Sequence, residues 1–88
     1  MQTIRISTTQ LHKGDVVHAH GARFEIVSDV TSYRGQGEPA FNEHGVGSVA
    51  ACTGRWIDGA VVRGYFGPNK DWTFQGNHHA LVRIEPRA

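Results

Sequence analysis

Short apolar runs that alternate with polar residues, each closed by glycine, asparagine, aspartate or proline, constrain this chain more than any other feature. Side chains two apart on an extended strand share a face, whereas an amphipathic helix needs apolar residues at i, i+3, i+4 and i+7. No window shows the helical spacing without a glycine or proline inside it. The runs at 3–7, 15–20, 23–30, 46–56, 60–66, 71–75 and 79–85, rich in Val, Ile, Phe, Tyr and Trp, therefore read as strands. Residues 8–14 connect the first two, with room for one helical turn, and Leu11 is placed to plug the end of the fold.

Turn chemistry predicts the local pairings. A loop of Gly21 and Ala22 pairs Val17 with Ile26 and Ala19 with Phe24 on one face, and His18 with Glu25 and His20 with Arg23 on the other. A His20-Gly21 loop is the competing register. Asp58-Gly59 signals a hairpin between the runs at 46–56 and 60–66, and the chain turns again at 67–70 and at Gly76-Asn77. The stretch 33–47 is the longest loop. Six to seven short antiparallel strands predict an all-β fold, a small curled sheet or partly open barrel, SH3-like in style, with one domain over 1–88. Ile4, Ile6, Val17, Phe24, Ile26, Val49, Trp56, Val61, Trp72, Phe74, Val82 and Ile84 are expected to supply most of the core.

Size and charge narrow the function. A chain of 88 residues buries only about 60% of the surface it exposes when unfolded, which leaves little room for a deep cofactor cavity. Nine Lys plus Arg against eight Asp plus Glu give a net charge of +1. The basic residues Arg5, Lys13, Arg23, Arg34, Arg55, Arg63, Lys70, Arg83 and Arg87 lie singly along the chain, which weighs against a phosphate-binding track. The lone Cys52 cannot form an internal disulfide, and residues 1–7 lack an apolar signal region, so a cytoplasmic location is expected. No apolar run is long enough to span a membrane as a helix, and no membrane partner is expected.

Two stretches resemble known proteins. Leu11-His12-Lys13-Gly14-Asp15-Val16-Val17, followed by Gly21 and Phe24-Glu25-Ile26-Val27, resembles the opening hairpin of SH3-like and related small barrels. Gly64-Tyr65-Phe66-Gly67-Pro68 with Asp71-Trp72-Thr73-Phe74-Gln75-Gly76-Asn77 is similar to short uncharacterised proteins of proteobacteria and their prophages. That resemblance implies a bacterial or prophage setting and carries no activity with it.

Six histidines are many for this length. His18 and His20, two apart on a strand with Glu25 across the hairpin, form a candidate site for zinc or another divalent metal. His44, His78 or His79 would complete the ligand set. The run also resembles the first motif of cupin barrels at Gly14, His18, His20 and Glu25, although the glycine sits too close to the first histidine and the second motif is absent. The plainer reading is a solvated hairpin face. Cys52, in a run of small residues, reads as a buried core residue rather than a nucleophile, and no Ser-His-Asp set is legible.

Tyr33, Tyr65, Phe66, Trp72 and Phe74, flanked by Arg34, Arg63 and Lys70, could form a stacking platform for single-stranded nucleic acid. The same aromatic rings are also needed for so small a core. The expected function is therefore an interaction domain that binds another protein, without catalysis or cofactor, through a sheet edge or the 33–47 loop. Tyr33, Arg34, Arg63, Tyr65 and Lys70 are its candidate binding residues. A nucleic-acid-binding small barrel and a metal-binding cupin-like protein are the alternatives.

Overall fold

The computed structural model describes residues 2–34, 38–39, 49–62, 67–76 and 79–87, with backbone alone for 32–34, 38–39 and 49. The fold is all-β. Its strands are β1 (Ile4–Ser7), β2 (Val16–Ala19), β3 (Ala22–Ile26), β4 (Thr31–Arg34), β5 (Glu38–Pro39), β6 (Val49–Gly59), β7 (Asp71–Gly76) and β8 (Leu81–Ile84), with one 3-10 turn at Thr8–Gln10. All pairings are antiparallel and lie in one sheet, ordered β1-β8-β2-β3-β6, with β7 on β6 and β5 on β4. The sheet curls without closing. Among the described residues no helix is long and apolar enough to cross a membrane.

Strand β6 organises the sheet because it is long enough to serve several partners. Its one edge takes β3 at Gly54–Gly59 and then β4 at Val49–Ala51, while its other edge takes β7. Between β3 and β4 the chain bends away. Val27 N–H still donates to Thr53 O, and the Ser28 hydroxyl accepts from Thr53 N–H. The expected strand over 23–30 thus stops at Ile26, and the next strand begins beyond that run, at Thr31; between them Ser28 stands in for a backbone partner.

The β2–β3 loop is His20-Gly21, the competing register. Val17 pairs with Phe24, His18 with Arg23 and Ala19 with Ala22. Both loop residues have positive φ, 54° and 75°, as a type I′ turn requires, and that turn matches the strand twist. Val17 and Phe24 still face the same side, so burial alone did not distinguish the two registers. His18 consequently stands opposite Arg23, and its expected pairing with Glu25 does not occur.

Asp58-Gly59 is not a hairpin turn. Strand β6 runs through it, with Asp58 opposite Arg23 and Gly59 opposite Ala22, after a bulge that leaves Ile57 as an extra residue. Residues 60–62 are not strand, and the rest of the expected run at 60–66 lies outside the described residues. The long loop is also shorter than expected at its start. Tyr33 and Arg34 belong to β4 and pair with Pro39 and Glu38, while 35–37 and 40–48 lie outside the described residues.

The core is built from Leu11, Val17, Ala22, Phe24, Ile26, Ala50, Cys52, Phe74 and Ile84, with Ile6, Trp56, Trp72 and Val82 packed around it. Leu11 is the expected plug, 2% exposed. Phe24 and Phe74 meet edge to face at 5.4 Å between ring centroids, a geometry that aligns ring edge with ring face. Gly54 makes this possible, because a Cβ there would overlap the Phe74 ring. Two expected core residues are instead exposed: Ile4, on the outermost strand, and Val61, beyond the end of β6. The Val49 side chain lies outside the described residues.

Candidate functional site

The inward positions of β1, β8, β2, β3 and β6 are apolar, so the alternating positions form an outer face, and the register arranges that face in rows. One row reads Arg5, Arg83, His18, Arg23 and Asp58 across successive strands. The next holds Val16, Glu25, Arg55 and Asp71, with Glu85 beside Val16 through a Glu85 N–H to Val16 O bond.

The middle of the first row is internally neutralised. Glu85 Oε2 accepts from Arg23 Nε at 2.9 Å and lies 2.7 Å from His18 Nε2, and Arg23 Nη1 donates to Asp58 Oδ2 at 2.7 Å. The hydrogen bond with His18 is the main cause that holds the Glu85 carboxyl below its ordinary value; burial opposes it, and Arg23 adds to the lowering. The end of the row is different. Arg5 and Arg83 stand directly opposite each other on β1 and β8, both exposed, and among the described residues neither has an acidic partner.

Among the described residues, strand β1 also ends the sheet. Antiparallel pairs alternate between bonded and non-bonded. Thr8 N–H donates to Ala80 O, which in this register makes Ile4 and Ile6 the residues bonded to β8. The N–H and C=O of Arg5 therefore point away from β8, along the outer edge. Ser7 N–H is occupied by Gln10 Oε1 in a capping box, so the 3-10 turn stops the edge just beyond Arg5.

Ile6 of this strand also lines a cleft of about 740 Å³. Ile6, Leu11 and Val30 supply its apolar part, and Gln10, His12, Lys13, Asp29 and Arg87 its polar part. Its wall is fixed by Asp15. Arg87 Nε and Nη2 donate to the two Asp15 oxygens at 2.9 and 2.7 Å, His12 N–H donates to Asp15 Oδ2 at 2.8 Å, and Arg87 Nη2 also donates to Gln10 O. A fork against a carboxylate is geometrically specific, so Arg87, just beyond β8, is tied to the connection between β1 and β2.

Of the expected binding residues, only Lys70 has a described side chain. Lys70 is exposed in the turn before β7. Tyr33 and Arg34 lie on β4 with side chains outside the described residues, as Arg63 and Tyr65 are altogether. Phe74 is buried against Phe24 and offers no free face for a base, and Trp72 is half-buried against the core. His18 and His20 both line a shallow cleft of about 470 Å³ with Arg23, Asp58 and Arg83. The carboxylate beside His18 is Glu85, not Glu25, which sits in the neighbouring row. Among the described residues no three His, Cys, Asp or Glu side chains converge as a metal site would require.

Cys52 is buried, as the sequence implies, and burial together with the Asp15 charge pushes its thiol up to about 11. It is thus a protonated core residue near neutrality. Arg5, Arg83, Glu85 and Arg87 were not among the expected site residues, because only the strand register makes neighbours of residues so far apart in the chain. Compared with protein-family models, with curated proteins and with solved structures, the chain shows no match.

Proposed function

We propose that this chain is a small interaction domain that accepts an extended segment of another protein along the outer edge of β1. One observation carries the reading: the outward N–H and C=O of Arg5 lie at the end of an open sheet, on the strand whose Ile6 lines the cleft of about 740 Å³. An edge strand beside a groove is how extended peptides are bound by strand addition. Backbone bonds supply affinity, and the groove selects alternate side chains. The Asp15–Arg87 fork supports the same reading, since it keeps the groove wall in place before any partner arrives. The resemblance to short proteobacterial and prophage proteins supports a bacterial or prophage setting, and the lone Cys52 supports a cytoplasmic one.

The reading is tested by panning a displayed library of random peptides against the whole chain and against Arg5→Pro. Proline removes the outward N–H but is tolerated on an edge strand when that N–H faces solvent. Enriched peptides should alternate apolar and polar residues and lose binding to Arg5→Pro, whose circular dichroism should match the wild type. Enriched peptides that bind both forms equally, or a selection that enriches nothing, would overturn the reading.

A further inference from the structure

We infer that the segment bound at β1 carries an acidic side chain between two apolar ones. This deepens the edge-binding reading above and rests on it. A strand added beside β1 extends each cross-strand row by one residue. The residue opposite Arg5 joins the outer face, at the end of the row Arg5, Arg83, His18, Arg23 and Asp58. Its neighbours before and after stand opposite Ile4 and Ile6 and face inward, because side chains alternate along a strand.

The charge at that position is set by what the row lacks. Arg23 already has Asp58 and Glu85, and His18 has Glu85. Arg5 and Arg83 form a like-charged pair directly opposite each other, an arrangement that costs stability. They have no carboxylate among the described residues. A Glu or Asp opposite Arg5 would give the pair a shared anion and convert that cost into attraction. The inward neighbours are apolar for a separate reason. Ile4 is 41% exposed although it faces the core side of the sheet, and Ile6 lines the cleft, so apolar side chains beside them would remove that surface from water.

The same charges decide among occupants. A second copy adding its own β1 centred on Arg5 would bring four guanidinium groups into one row. A nucleic acid needs a run of cations, yet this row ends on Asp58, and Glu85, Glu25 and Asp71 lie beside it. One acidic side chain of a protein partner fits the two arginines that stand without an acid.

The test uses the full chain and three labelled peptides, each a short extended sequence with a central Glu, Gln or Lys between valines, followed by fluorescence anisotropy at low salt. The Glu peptide should bind about tenfold more tightly than the Lys peptide, equivalent to about 1.4 kcal/mol. The preference should weaken with added salt and invert in Arg5→Glu. Arg5→Pro should abolish binding of all three, with Thr3→Pro, just ahead of the strand, as a second edge-blocking variant should the first fail to fold.

Equal binding of the three peptides, abolished by the proline variants, would overturn the acidic preference and leave the edge reading standing. Binding of none, or binding indifferent to both prolines, would overturn the edge reading and the inference with it. An oligothymidylate that displaces the Glu peptide would overturn the inference in favour of a nucleic acid, and a concentration-dependent dimer blocked by Arg5→Pro would do so in favour of a second copy.

Discussion

The Asp15 carboxylate, with a side chain only 5% exposed, ties together residues far apart in the chain. Burial by itself would raise its pKa. The Arg87 hydrogen bonds, the His12 N–H and the nearby positive charge outweigh that and hold it below the usual carboxylate value. The unfolded chain therefore binds the proton more readily than the folded one. The stabilisation is complete above about pH 4, where the unfolded carboxyl is ionised, and is lost as pH falls through the lower folded value. Arg87→Ala leaves the buried carboxylate short of two bonds and should cost about 1–2 kcal/mol at neutral pH, discounted because the guanidinium is partly in water. Thermal melts should show the deficit near pH 7 and a narrowing gap between variant and wild type below about pH 4. A deficit independent of pH would mean that the fork is not its source.

At the scale of the element, β6 succeeds as the central strand because a residue without a side chain lies where two rings converge. Gly54 stands opposite Ile26 on one side and Trp72 on the other, and the Phe74 ring occupies the space its Cβ would need. Gly54→Ala should destabilise the fold by about 1–3 kcal/mol, the usual cost of overpacking a core. The effect should appear as a lower urea midpoint at unchanged slope. Because the clash is with an aromatic ring, the penalty should shrink when Gly54→Ala is placed in a Phe74→Leu background, so the two substitutions should not be additive. Additive effects would show that Phe74 is not what excludes a side chain at position 54. Glycine in a strand also weakens the strand signal, and here the weakness marks a close approach rather than a turn.

The whole molecule leaves its sheet open, and an open sheet carries the hazard of pairing with copies of itself. Strand β1 is short, stopped by the Ser7–Gln10 capping box, and marked by Arg5 opposite Arg83. Charge on a short edge opposes the approach of an identical edge while leaving an acidic segment welcome. Arg5→Val removes one charge and adds β-propensity, so it should raise self-association. Light scattering at increasing protein concentration should detect larger species at concentrations where the wild type remains unchanged. A variant that stays as disperse as the wild type would mean that Arg5 does not guard this edge.

The amino-acid sequence alone determined that the described elements are strands rather than α-helices, with a tight turn near Gly21 and Leu11 closing one end. Val17, Phe24, Ile26, Phe74 and Ile84 could be assigned inward from their alternation. These properties are local, since pleat, turn chemistry and side-chain alternation act within a few residues. The tertiary structure alone decided that β6 runs through Asp58-Gly59, that β3 and β4 share one of its edges, that His18 meets Glu85 rather than Glu25, and that Arg5 meets Arg83. Those outcomes depend on which strands the curl brings side by side. Moving the β2–β3 turn by one residue shifts the pairing by two, so the same charges stay on the outer face but meet different partners.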